Sequence, residues 1–339
     1  MRPIFQPRLV NGPFADPALY VDLLFERRAL LFDLGDIGSL PPRKLLRISH
    51  VFVTHTHMDH FVGFDRLLRV CLGRNRPLAL FGPPGFVDQV QHRLASYTWN
   101  LVENYNADLA IAAFEVSLDG SRMSRADFNS RDRFARRDGG TTALEEGLLL
   151  KEPAFRVRCA VLDHQIPCLG FALQEATHVN VWCNRLAELG LAPGAWLRGA
   201  KHAIMTGAPD DTMITARWPL QGAMHEQSVP LGTLRRAALQ CVPGEKLAYV
   251  SDVAAHAENE RRIVQLAAGA DILFIEATFL EQDALEARRK SHLTAHDAGR
   301  IARAAGAREL MPFHFSPRYT GLEPALSAEA RAAFRGDGP

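Results

Sequence analysis

The alternation of apolar and polar positions divides the chain into short segments whose period switches between that of a strand and that of a helix. "LYVDLLFE" and "ALLFDLGD" predict an opening strand pair with the arginines 27–28 at the turn. "SHVFVT" is a short strand rich in β-branched residues, and "FDRLLRVCL" has helical spacing. "PLALFG" followed by "PPGFVDQVQHRLASY" predicts a strand and then a helix whose start is marked by Pro and Gly. "FRVRCAVLD" and "CLGFALQE" predict a second strand pair. After them come the strand "KLAYVSD", the helix "NERRIVQLAAG", the strand "DILFIEA", the helix "AHDAGRIARAAG" and the strand "ELMPFHF". This order predicts an α/β protein with helices packed on sheets.

Two stretches break the pattern. Residues 103–154 contain "SRMSRADFNSRDRFARRDGG", in which Arg122, Arg125, Arg131, Arg133, Arg136 and Arg137 face three aspartates. Such a run reads as a solvated surface loop, with a phosphate-contacting arm as the sharper alternative. Residues 176–245, including "GLAPGAWLRGAKHAI", read as a second irregular insertion, a lid or substrate arm. The expected organisation is a single domain over 1–339 carrying these two insertions.

Composition narrows the class. At 339 residues, 47% apolar and 23% charged, the chain has the make-up of a globular protein with a sizeable core. A net charge of +1 excludes a broad basic footprint, so any nucleic-acid contact must be a local patch. No run approaches the roughly 18–20 apolar residues of a membrane helix. The opening "MRPIFQPRLVNGPFADP" does not read as a signal peptide, so the expected compartment is the cytoplasm. The five cysteines lack Cys-x-x-Cys spacing and read as reduced thiols.

The chemistry concentrates in "THTHMDH", residues 54–60, directly after an apolar run. His55 and His57 are spaced i, i+2, and Asp59 and His60 follow. On a tight turn leaving a strand, this spacing can aim two imidazoles at one ion and a carboxylate plus an imidazole at another. A core has little use for so many polar groups, each of which would need a partner if buried.

Strand–"THTHMDH" resembles the signature of the metallo-β-lactamase superfamily. The resemblance implies a four-layer αβ/βα sandwich with a metal centre at the edge of two packed sheets. It also implies a later lone His, an Asp and a final His, each at a strand end. His164 in "VLDHQIPCLGFAL", Asp252 ending "KLAYVSD" and His314 in "ELMPFHF" stand in those places. By resemblance, His55, His57 and His164 would hold one metal, and Asp59, His60 and His314 the other, with Asp252 bridging.

The flanks "FIEATF", "KSHLTAHDAG" and "FHFSPRYTG" are similar to the ribonuclease Z branch. That similarity implies catalytic roles for Asp59, Glu276 and His292, and substrate contacts from Ser316, Arg318 and Tyr319. "LAELGLAPGAWLRGAK" looks like a reduced form of the branch's substrate arm, with Lys201 near its basic end. The chain departs from the branch where "VNGPFADPALY" replaces a Gly-rich loop, and where Ile275 stands for the His of His-Glu-Ala-Thr. It also has "VSDV" for Ser-Gly-Asp-Thr, and Pro193-Gly194 for a Gly-Pro pair.

The resemblance implies two divalent cations, Zn²⁺ first with Mn²⁺ or Fe²⁺ as alternatives, and a hydroxide bridging them as nucleophile on a phosphodiester. His292 would donate a proton to the leaving group, oriented by Glu276. Arg318 would hold a phosphate oxygen or pair with a surface carboxylate. The implied substrate is RNA, with tRNA 3′ processing as the candidate, and the implied assembly is a homodimer. An esterase, lactonase or arylsulfatase on the same fold is the alternative. A one-iron oxygenase and a non-catalytic binding protein stand behind it.

Overall fold

In the computed structural model, which describes residues 4–24, 26–176, 178–220 and 223–337, the opening strands form an antiparallel meander. It consists of β1 (Phe5–Leu9), β2 (Leu19–Leu23) and β3 (Arg28–Phe32). Three parallel strands extend it: β4 (Ile48–Phe52), β5 (Leu78–Gly82) and β6 (Ala110–Val116). Then β7 (Arg122–Asn129) and β8 (Arg137–Ala143) add an antiparallel edge, completing eight strands in chain order.

Residues 103–154, expected as irregular surface, therefore hold four strands, the three just named from β6 onward and a fourth at Leu148–Lys151. Their alternation is faint because β8, "RDGGTTA", is exposed throughout, and β7 buries only Ala126 and Phe128. The arginines of this run are engaged by acids: Arg125 with Asp127, Arg136 with Asp88 and Asp138, and Arg137 with Asp132. That is the pattern of a solvated, ion-paired face.

The second sheet begins with β9 (Leu148–Lys151), β10 (Phe155–Asp163) and β11 (Pro167–Glu175). The chain then enters a separate compact unit, Glu175–Gly244. In it β12 (His178–Val181) pairs with β15 (Leu239–Val242), and β13 (Met213–Leu220) pairs with β14 (Ala223–Pro230). Leu186, Trp196, Ile204, Leu231 and Leu234 form a core within that unit. The second sheet resumes with β16 (Lys246–Val250), β17 (Ile272–Glu276) and β18 (Glu309–Phe313), mutually parallel. Its order is β18-β17-β16-β11-β10-β9.

The two sheets face each other across an apolar layer that includes Val21, Phe32, Phe52 and Phe81 from one and Val157, Phe171, Tyr249 and Phe313 from the other. Ladder register sets Phe32 against Phe52, Phe52 against Phe81 and Phe81 against Phe114, which places stacked rings 5.0, 4.9 and 4.6 Å apart. Removing a buried ring from such a row costs about 3–5 kcal/mol. The opposite face of each sheet is covered by helices. Phe64, Leu67, Val87 and Val90 pack with Leu31 and Val51, and Ile263, Ala298 and Ile301 pack with Val250 and Leu273. Ile275 is fully buried in this second layer, an apolar core residue where the branch pattern has His.

Helix, sheet, sheet and helix make the expected four layers. The parallel strands β4, β16, β17 and β18 all run toward one edge, so the residues just beyond their C-terminal ends converge there, where open α/β sheets place their ligands. Close backbone contact fixes the first loop, because a Cβ on Gly63 would lie 2.2 Å from the carbonyl oxygen of Gly35.

Candidate metal centre

The stretch after β4 turns sharply, with His57 capping the four-residue helix Met58–Phe61. His55 and His60 are fully buried, Asp59 is half-buried and His57 is exposed. From the other sheet come Asp252, just past β16, and His314, just past β18, while His164 lies in the β10–β11 turn. The ligand-type atoms of His55, His57, His164 and Asp252 lie within 4.8 Å of one another, and so do those of Asp59, His60 and His314.

Asp252 faces both groups with different oxygens. Its Oδ2 is 3.7 Å from His55 Nε2 and 3.6 Å from His164 Nε2. Its Oδ1 is 3.5 Å from His60 Nε2 and 3.3 Å from His314 Nδ1. Asp59 Oδ2 closes the second group at 3.5 Å from His60 Nε2 and 3.4 Å from His314 Nε2. These spacings are long for hydrogen bonds. They match two donors on one cation, since bonds of about 2.0–2.1 Å in a tetrahedron separate ligand atoms by about 3.3 Å. The buried Nε2 atoms of His55 and His60 have no hydrogen-bond partner. The donor set therefore fits a divalent metal site.

The opposite ring nitrogens are anchored. His60 Nδ1 meets Asp33 Oδ2 at 2.9 Å, His164 Nδ1 donates to the Ser291 carbonyl at 2.8 Å, and His55 Nδ1 lies 3.1 Å from Thr54 Oγ1. Asp33 also accepts from the Thr54 amide at 2.7 Å and from the Tyr249 hydroxyl at 3.0 Å. Such outer partners fix which nitrogen faces the ion. Asp33, Gln165, Ser291 and His314 all hold positive φ, of 56°, 60°, 60° and 58°. Each such residue costs of order 1–3 kcal/mol, strain that surrounding structure must impose.

Electrostatics treat the two buried imidazoles differently. Burial, aided by the charge on His60, pushes the His55 imidazole down to about 2, so it stays neutral as a ligand must. Burial opposes charge on His60, but Asp252 and Asp33 override it and raise the group well above the ordinary histidine value. Burial works against the Asp252 carboxylate too, yet His314 and His60 hold it well below the usual carboxylate range. Carboxylates this buried, with imidazoles as neighbours, create a strong demand for positive charge.

Beside the ligands, Glu276 is fully buried, and both its oxygens lie 3.1 Å from His292 Nδ1. Glu276 also accepts from the Val253 amide at 2.8 Å and from the Thr278 hydroxyl. Burial disfavours the imidazolium of His292, but the Glu276 carboxylate outweighs it and raises the group to about 9. His292 opens onto a cavity of about 290 Å³ that is also lined by Asp59, His314, Ser316, Lys290 and Phe279.

Placement separates the other expected residues. Ser316 lines the cavity. Arg318 lies 3.6 Å from Glu286 and over the Phe279 ring at 5.2 Å, the surface-carboxylate pairing of its two readings. Tyr319 is buried, its hydroxyl donating to Asp283. Lys201 lies in the helix Trp196–Met205 of the Glu175–Gly244 unit. Sequence reasoning missed Asp33, Tyr249 and Lys290. It also missed that "VNGPFADPALY" supplies Phe14, Ala15 and Asp16 to the cavity wall. An aspartate directly after an apolar strand, as in "LLFDLG", was the available signal for Asp33.

Residues 236–315 match the model of the Beta-lactamase superfamily domain. The fold is shared with solved structures of human tRNase Z, short form (TM-score 0.51, 19% identity, 93% of each chain), and of the metallo-beta-lactamase fold protein YhfI from Bacillus subtilis (TM-score 0.53, 15% identity, 97% of this chain and 92% of that one). Fold and site thus define a metallo-β-lactamase superfamily protein. A ribonuclease Z of Deinococcus radiodurans is 33% identical over 316 residues, covering 92% of this chain and 90% of that protein. Another, from Kineococcus radiotolerans, is 31% identical, covering 92% and 81%. The chain belongs to the ribonuclease Z family.

Proposed function

We propose that the protein is a binuclear metal-dependent phosphodiesterase that cuts RNA, with tRNA 3′ processing as its task. The observation carrying this reading is the division of Asp252, one oxygen toward His55 and His164 and the other toward His60 and His314. His55, His57, His164 and Asp252 would hold one cation, and Asp59, His60, His314 and Asp252 the other. The borderline imidazole–carboxylate donor set suits Zn²⁺ first, and Mn²⁺ or Fe²⁺ after it. Two cations bound there would lower the pKa of a water toward neutrality and would stabilise the attacking and leaving oxygens.

The chain's own groups do the rest. Glu276 engages His292 at Nδ1, which leaves the Nε2 proton free for the leaving 3′ oxygen. The Glu276 carboxylate favours the charged form of His292, the form that can give up a proton. Lys290 and Ser316 supply a cation and a hydroxyl to phosphate in the adjoining cavity. The Glu175–Gly244 unit, with Lys201, would serve as the substrate arm of a cytoplasmic homodimer. No helix among the described residues is long and apolar enough to cross a membrane.

The test is turnover of bis-p-nitrophenyl phosphate and of an RNA with a 3′ trailer by purified protein, with metal content measured on the same sample. Two metals per chain and cleavage of both substrates are expected. Efficient turnover of carboxyl or sulfate esters with no phosphodiester cleavage would replace this reading by the esterase, lactonase or arylsulfatase one.

A further inference from the structure

A second built cavity lies at the other end of the same sheet. The alternation of "FRVRCAVLD" turns Phe155 and Val157 into the core between the sheets, so Arg156 and Arg158 point outward from β10. On the neighbouring strands, Gln174 of β11 is paired in register with Lys246 of β16. Arg262 reaches over from the helix Ala257–Ala267, which packs on β10. Together they line a cavity of about 610 Å³.

The charge in this cavity is lopsided. Arg156, Arg158, Lys246 and Arg262 face it with Glu146 as the acid among the lining residues. Glu146 lies 3.1 Å from Arg158, but its side chain is 86% exposed, so it rims the cavity without filling it. Local hydrogen bonds hold the cations in place. Arg156 donates to Gln174 Oε1 at 2.9 Å, Arg158 to the Glu146 carbonyl at 2.8 Å, Arg262 to the Val161 carbonyl at 2.7 Å, and Lys246 to the Ala268 carbonyl at 2.9 Å. Arg262 also pairs with Glu258 on its own helix. Burial, followed by the charges of Arg156 and Arg158, lowers the half-buried Lys246 ammonium from its ordinary value. Like charges around one cavity disfavour one another, and a further anion among them relieves this.

We propose that this cavity binds a compact polyphosphate ligand of the nucleotide class, at a site separate from the metal centre. Guanidinium forks from Arg156 and Arg158 match phosphate oxygens in pairs, and the Lys246 ammonium adds a point charge on the next strand but one. Ala160, Ala172 and Leu266 add apolar wall, which suits a ligand with an uncharged part. A volume of 610 Å³ falls within the range of small-molecule sites. The four cations come from three elements around one concavity, a layout for a compact ligand. A single-stranded RNA would be tracked by a groove with stacking aromatics.

The experiment is calorimetric titration of the metal-loaded full chain with ATP in excess Mg²⁺, with tripolyphosphate, and with a short RNA hairpin. Saturable binding of ATP or tripolyphosphate is expected, weakened at least about tenfold in R156E/K246E. R156Q, the milder change, should weaken it by a smaller factor, with the melting temperature of the unliganded protein close to that of wild type. Equal binding by wild type and both variants would put the ligand elsewhere and overturn the proposal. So would saturation by the RNA hairpin alone, or an absence of saturation at millimolar ligand.

Discussion

Lys246 opens β16 and Asp252 lies two residues past its end, so one strand of about 20 Å joins the two charged sites of the second sheet. At the Asp252 end, buried carboxylates and imidazoles sit at distances that a cation would close. At the Lys246 end, the exposed Arg156 and the half-buried Arg158, Lys246 and Arg262 surround a cavity that an anion would fill. Both ends use the same device, a strand ladder that holds polar groups in register while the core makes the sheet rigid. They differ in the support behind the charged groups. Asp33, Thr54, Tyr249 and the Ser291 carbonyl fix the metal-facing rings, whereas backbone carbonyls, one glutamine and the exposed carboxylates of Glu146 and Glu258 steady the basic groups. At a separation of about 20 Å, well past the roughly 7–10 Å beyond which substitutions usually add, the two ends should respond to substitution independently.

The largest effect should come from Asp252→Ala, which removes the one carboxylate facing both donor groups. Metal analysis should give fewer than two ions per chain, with phosphodiester turnover at background. A variant that kept both metals and its rate would break the bridging assignment. Next is His292→Ala, expected to lower kcat by about 10²–10⁴ with metal content unchanged. Glu276→Gln should move the rate the same way by disturbing the charge and orientation of His292. If either substitution cost metal and rate together, His292 would belong with the ligands, a grouping its closeness to Asp252 and His314 makes worth testing. Asp33→Asn acts one shell further out and should weaken metal affinity by about 10–100-fold. Competition with a chelator would measure it, and an unchanged affinity would show that His60 needs no anchoring.

These positions were unequally legible in the sequence. "THTHMDH" was readable because its ligands are consecutive and a turn is enough to gather them. His164, Asp252 and His314 were readable only through family order, since nothing local distinguishes a ligand histidine from any other histidine after a strand. Asp33 stayed hidden because its value lies in tertiary partners, among them Tyr249 from 216 positions away. The strands of residues 103–154 were obscured by alanine, glycine and arginine at positions where alternation is normally marked by large apolar residues. The basic cavity was invisible for a related reason. Arg156, Lys246 and Arg262 are far apart in the chain, and within their own segments each reads as an ordinary solvated charge.

The smallest effect, and the sharpest contrast with the metal centre, concerns the proton on Lys246. Its folded pKa is lowered, first by burial and then by Arg156 and Arg158. Between that lowered value and the ordinary lysine value near 10.5, the unfolded chain binds more protons than the folded one, so stability rises with pH through this window. The contribution is complete above the unfolded value and is lost as pH falls toward the folded one. R156Q removes one of the neighbouring charges, so it should move the Lys246 titration back toward 10.5 and flatten the alkaline slope of stability. Following the Lys246 side-chain resonances by NMR in wild type and R156Q reads the shift directly. Removing a charged residue should therefore leave the basic end unchanged or slightly more stable, whereas the same operation on Asp252 strips the other end of its metal. Adding tripolyphosphate should raise the Lys246 pKa in wild type more than in R156Q. A titration curve identical in the two proteins would mean that the guanidinium of Arg156 does not act on Lys246, and the cavity would lose the cation crowding that calls for an anion.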